Sequence, residues 1–132
     1  MAMEDTAEIS LTVPGKREYA LVIRTALGGV AILKDLDVDA MDDLRTAADE
    51  ACDCLLHQGR PVERLTLSVR DAGDRLQVSL EADFSGDKSE DCADMTAISK
   101  AVLETLIPQV ALSTTPCGCV SRIDLTLAKA VV

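Results

Sequence analysis

Aromatic side chains are almost missing from this chain: Tyr19 and Phe84 are the only two, and tryptophan is absent. The core must be assembled from Leu, Val, Ile, Ala and Met, and a pocket that stacks a ring between aromatic side chains is not expected. Long apolar runs are missing too. No stretch approaches the roughly 20 residues a membrane span requires, and 1–6 lacks signal-peptide character. Positive charge is scarce, with 13 Lys and Arg against 23 Asp and Glu and a formal net charge of −10. Phosphate neutralisation needs clustered cations, so nucleic acid is excluded as a partner. Neither a Ser-His-Asp order nor a phosphate-binding Walker loop occurs. Cysteine shows no pairing pattern: an odd count of five, in a chain large enough not to need staples, points to reduced thiols and a cytoplasmic location.

What is present suffices for one compact domain. The chain has 132 residues and 48% hydrophobic content, enough to bury one core but not two. We expect a disordered tail over 1–7 and a single domain over 8–132. Ile9, Leu11 and Val13 alternate with polar residues until Pro14-Gly15, which predicts a half-buried strand. Leu21, Val22, Leu27, Val30 and Ala31 predict a helix over 18–32, although Gly28-Gly29 weakens it by roughly 1 kcal/mol per glycine. The acidic turn 35–39 offers N-caps to the strongest helix, about 40–57, which Gly59 and Pro61 stop. Leu65, Leu67, Val69 and Leu76, Val78, Leu80 alternate on either side of Ala72-Gly73-Asp74, a hairpin. The acid-rich segment 85–94 reads as a mobile loop. A helix over 95–106 and a second hairpin, turning at Pro116-Cys117-Gly118, complete the chain. This order predicts an α/β (α+β) two-layer sandwich: a mixed, largely antiparallel sheet of about five strands, covered on one face by three helices.

Within the longest helix, Glu50, Cys54 and His57 fall in one column (i, i+4, i+7), and Leu44, Ala48, Ala51 and Leu55 in another. The second column packs on a core; the first is expected to look into a cleft. Leu11-Thr12-Val13-Pro14, the Tyr19-containing helix, the run from Asp42 to Cys52, Asp74-Arg75-Leu76-Gln77-Val78 and Leu103-Glu104-Thr105-Leu106 together resemble the anti-sigma-factor serine kinases of bacterial partner switching. Those proteins belong to the GHKL (histidine-kinase-like ATPase) superfamily, and the resemblance covers Ile9 to about Leu127. It implies the histidine-kinase-like ATPase fold, with Glu50 at the position of the general base. It also implies that an asparagine one turn later holds Mg²⁺, and this chain has Cys54 there. Mg²⁺ demands oxygen ligands, which a soft thiol does not provide.

The adenine-reading aspartate of that family corresponds best to Asp83, but the following Phe84-Ser85-Gly86-Asp87 has the wrong glycine spacing. Where glycines should open the last helix and cradle phosphate on bare backbone, the chain has Thr96-Ala97-Ile98-Ser99. Cys54, Asp83, Ala97 and Ser99 thus mark the positions of a degenerate nucleotide site, Glu50 is a vestigial base, and no residue is assigned to a metal. The expectation is an anti-sigma-factor-like regulator that acts by binding protein, with nucleotide binding weak or lost and no cofactor. By resemblance its partners are a sigma factor or a sulfate-transporter-and-anti-sigma (STAS) antagonist domain, and a homodimer is compatible. One alternative is an active ATP- and Mg²⁺-dependent serine kinase of the same family. The other is a cysteine-based metal or redox protein centred on Cys117 and Cys119. For His57, a helix-end complement to the dipole is the simpler role; for the acid runs at 35–43 and 87–94, it is solvated surface.

Overall fold

The structure is a computed structural model that describes residues 7–86 and 96–129. Apart from Ala7, the expected tail over 1–7 lies outside the described residues, as do positions 87–94 of the expected loop. The elements are β1 (Ile9–Pro14), a single 3-10 turn (Arg17–Tyr19), α1 (Ala20–Leu33), α2 (Val38–Leu56), β2 (Val62–Asp71), β3 (Arg75–Phe84), α3 (Thr96–Leu106), β4 (Gln109–Thr114) and β5 (Val120–Ala128). Element order matches the sequence expectation. One correction concerns the sheet: every pairing in the order β1-β2-β3-β5-β4 is antiparallel, so it is not mixed. β2–β3 and β4–β5 are joined by hairpins, β1 reaches β2 through α1 and α2, and the α3 crossover from β3 to β4 leaves room for β5 between them, so every adjacent pair runs antiparallel.

Alternation divides the sheet into two faces. Leu65, Leu67 and Val69 of β2, Leu76, Val78, Leu80 and Ala82 of β3, and Ile123, Leu125 and Leu127 of β5 are buried beneath the helices. The other face carries Thr12, Thr66, Arg70, Gln77, Ser79, Arg122 and Asp124, linked by side-chain hydrogen bonds such as Thr12–Thr66 and Arg122–Asp124. Those bonds and the sheet's twist shape a shallow polar concavity on that side.

α1 buries Ile23, Leu27, Val30 and Ala31, the i, i+4, i+7, i+8 stripe of an amphipathic helix. The Gly28-Gly29 pair does not break it, because that stripe is anchored in the core on both sides of the pair. The helix ends where Asp35 takes a left-handed φ of 59°. Leu36 N–H donates to the Ala31 carbonyl and Asp35 N–H to the Ile32 carbonyl, the paired bonds of a Schellman stop, with Leu36 buried behind them. Asp37 at once caps α2, its Oδ1 accepting from Ala40 N at 2.7 Å. This tight corner lays α2 back against α1, and α3 packs along its other side. α2 is therefore the central helix of its layer.

Candidate functional site

A central helix buries a wide arc. On α2, Leu44, Ala47, Ala48, Ala51, Cys52, Cys54 and Leu55 are all buried. The sequence-based column of Glu50, Cys54 and His57 is accordingly not one surface. Cys54 is only 5% exposed and belongs to the core cluster. Glu50 is half-buried, and His57 is exposed at the helix end with Nδ1 4.0 Å from Asp53 Oδ1. The expectation of a cleft face shared by all three is corrected on this point. Periodicity sets the angle between side chains but not what stands opposite each, and the packing buries Cys54 while leaving His57 exposed.

Glu50 faces α3. Ser99 Oγ donates to Glu50 Oε2 at 3.0 Å, and Ser99 is only 4% exposed. Two of the positions singled out in the sequence are thus joined, by a bond that ties α3 to α2 and uses one carboxylate oxygen of Glu50. On the opposite flank, Asp49 accepts from Arg24 of α1 at 3.1 Å. The two neighbouring acids point to different helices, as the ~100° step between residues requires.

Asp83 and Ala97 are placed elsewhere. Asp83 follows the buried Ala82 on β3, so it lies on the face of the sheet away from the helices, where Arg64 Nε approaches its Oδ2 at 3.3 Å. Ala97 is exposed in the first turn of α3. Among the described residues, concavities lie on the open sheet face, on the flank between α1 and α2, and at the start of α1 near Asp49 and Asp53. Glu50, Cys54, Asp83, Ala97 and Ser99 do not line these particular concavities. Among the described residues, no group of three or more His, Cys, Asp or Glu is arranged to hold a metal ion.

Two constellations escaped the sequence. Gln58, just past α2, is buried and clasps β5: its Nε2 donates to the Val120 carbonyl at 2.7 Å, and its Oε1 accepts from Val120 N–H. A glutamine beside Gly59 reads as surface loop, and nothing local indicates its partner. The second is Arg60, whose Nε donates to the Gly86 carbonyl at 2.6 Å, whose guanidinium lies 4.4 Å over the Phe84 ring, and whose Nη1 is 3.7 Å from Cys117 Sγ. The two α2 thiols near Glu50 are of another kind. Burial, reinforced by Asp49 and Asp53, pushes Cys52 up to about 12, and both Cys52 and Cys54 serve as small apolar core groups.

No family model matches the chain. Individual proteins do. Over 74 residues it is 35% identical to the anti-sigma-F factor RsbW of Mycobacterium tuberculosis, covering 56% of this chain and 44% of that one. By sequence, the chain is similar to anti-sigma kinase-like proteins. Over 95 residues it is 30% identical to the serine-protein kinase RsbW of Bacillus cereus, covering 67% of this chain and 59% of that protein. The corresponding figures for the serine-protein kinase RsbW of Bacillus mycoides are 31% over 78 residues, 58% and 49%. The chain spans about half the length of the curated relatives it matches. No helix among the described residues is long and apolar enough to cross a membrane.

Proposed function

We propose that this chain is an anti-sigma-factor-like regulator of the partner-switching type that works by binding protein, on a histidine-kinase-like sandwich whose nucleotide site is closed. One observation carries the second half of the proposal. The residue standing where the resemblance requires a Mg²⁺-holding asparagine, Cys54, is packed into the core at 5% exposure. The base position beside it, Glu50, is occupied by the hydroxyl of Ser99. A Mg²⁺ ion would find sulfur where it needs oxygen. A triphosphate would meet the side chains of Ala97 and Ser99 where the family offers backbone. Asp83, on the far side of the sheet, is turned away from that space. The residues present do not suit Mg-ATP.

The similarity to RsbW supports the first half, and so does the surface. Leu21, Val22, Ile32 and Leu33 of α1 and Val38 of α2 are exposed, Ile32 by 68% and Leu33 by 67%. Exposed apolar side chains at both ends of α1 and at the start of α2 are the kind of surface that protein-binding sites use. The partner is a sigma factor or an anti-sigma antagonist, and competition between the two sets the switch, because a ligand shifts an equilibrium only by its differential affinity.

The similarity to two serine-protein kinases favours a second function, an ATP-dependent serine kinase with Glu50 as base. Calorimetric titration with ATP and ADP, with and without Mg²⁺, separates the two. Absence of Mg-dependent heat supports the binding module. Micromolar Mg-ATP affinity, with phosphate transfer to a serine of an antagonist domain, establishes the kinase instead.

A further inference from the structure

The β4–β5 hairpin closes through a three-residue loop that gathers two sulfur atoms. Thr115 N–H donates to the Cys119 carbonyl at 2.8 Å, and Gly118 N–H to the Thr115 carbonyl at 2.9 Å. Gly118 takes a left-handed φ of 89°, which favours a residue without Cβ, and Pro116 stands where such a turn prefers proline. The chain doubles back so tightly that Cys117 Sγ lies 3.4 Å from Cys119 Sγ. The two thiols are unequal: Cys117 is exposed, whereas Cys119 is buried.

The surroundings of Cys117 favour its anion. Thr115 Oγ1 lies 3.0 Å from its sulfur, and the Arg60 guanidinium approaches within 3.7 Å. Arg60 is itself fixed by the Gly86 carbonyl and the Phe84 ring, so its charge does not swing freely. The Thr115 hydroxyl, the backbone and thiol of Cys119 and the Arg60 charge together hold the Cys117 thiol down at about 7. An exposed thiolate with a second sulfur at its back is the arrangement of a redox-active cysteine.

We propose that Cys117 and Cys119 form a peroxide-oxidisable dithiol, with Cys117 the attacking thiolate and Cys119 the resolving thiol. The Cys117 thiolate attacks the distal oxygen of a hydroperoxide. An S–O bond forms, the O–O bond breaks, and the departing alkoxide or hydroxide takes a proton from water. Cys119 then attacks the Cys117 sulfur: the S–S bond forms, the S–O bond breaks, and the hydroxyl leaves as water with the Cys119 proton. Two thiols and one hydroperoxide yield one disulfide, one alcohol or water, and one further water. The disulfide removes the anion facing Arg60, so oxidation at the hairpin tip is felt by the side chain that holds Gly86 at the end of β3. None of this depends on the regulatory function proposed above.

The test uses the full chain, reduced, freed of reductant and treated with one equivalent of hydrogen peroxide before alkylation and peptide mapping. Cys117 and Cys119 are expected to escape alkylation together and to regain it with dithiothreitol. In Cys119→Ser, oxidation is expected to stop at a sulfenic acid on residue 117 that dimedone traps. Without oxidant, Cys117 should alkylate roughly tenfold or more faster than Cys52 or Cys54 near pH 7, in line with its larger thiolate fraction. Oxidation that falls first on Cys92, or a disulfide that joins two chains, overturns the proposal. So does Cys117 alkylation no faster than that of Cys52, or a stoichiometric metal retained by the two thiols through purification.

Discussion

Replacing Cys54 by asparagine tests the proposed loss of the nucleotide site, and the burial of this position predicts that it harms the protein without producing nucleotide binding. Cys54 is 5% exposed and packed in the apolar cluster with Ala47, Ala51 and Leu55. Asparagine brings a carboxamide with two donors and an acceptor oxygen. Burying such a group without full partners costs about 1–3 kcal/mol. Its extra bulk in a filled site costs about as much again. The combined destabilisation is about 2–6 kcal/mol, a large fraction of the roughly 5–15 kcal/mol that holds a domain of this size together. Urea denaturation followed by far-UV circular dichroism measures it, and calorimetric titration with Mg-ATP runs beside it. A Cys54→Asn protein as stable as the original would refute the placement of this position in the core. Mg-dependent nucleotide binding by the variant would refute the closed site altogether.

Gln58→Leu keeps the size of the side chain but leaves the N–H and carbonyl of the fully buried Val120 without the partners Gln58 supplies. A loss of about 2–5 kcal/mol in urea denaturation is expected, and a change below about 0.5 kcal/mol would contradict the clasp. Asp71 lies where β1, α1 and β5 meet the β2–β3 turn. Lys129, the Gly73 N–H and Lys34 hold its carboxyl well below the usual carboxylate range. Because the folded value is depressed, the stability it contributes is complete above the unfolded value near 4 and declines as pH falls below it. Asp71→Asn should therefore lower the urea midpoint near neutrality and flatten its fall on acidification; a parallel acid limb in the variant would count against this.

The legible parts of the fold share a physical cause. Leu65, Leu67, Val69 and Leu76, Val78, Leu80 stand on strands with one face buried, so the two-residue alternation is imposed by the sheet and appears in the sequence. Pro116-Cys117-Gly118 turns because proline fixes φ at the first position and glycine tolerates the left-handed φ of 89° at the last, and the same bend brings the two sulfurs together. At the positions the resemblance assigns to a nucleotide, the residue types Cys54, Ala97 and Ser99 were visible in the letters. Their arrangement was not. Ser99 reaches Glu50 across two helices separated by the whole β2–β3 hairpin, and Gln58 reaches Val120 across α3 and β4 as well. No local pattern encodes contacts of that kind.

By itself, the sequence determined the order of the elements, the strand faces and the hairpin turns, since each follows from near-neighbour geometry. Only the tertiary structure decided how much of α2 is covered. Helical spacing places Glu50, Cys54 and His57 along one side, but exposure depends on what stands opposite. Packing buries Cys54, ties Glu50 to Ser99 of α3, and leaves His57 exposed at the helix end.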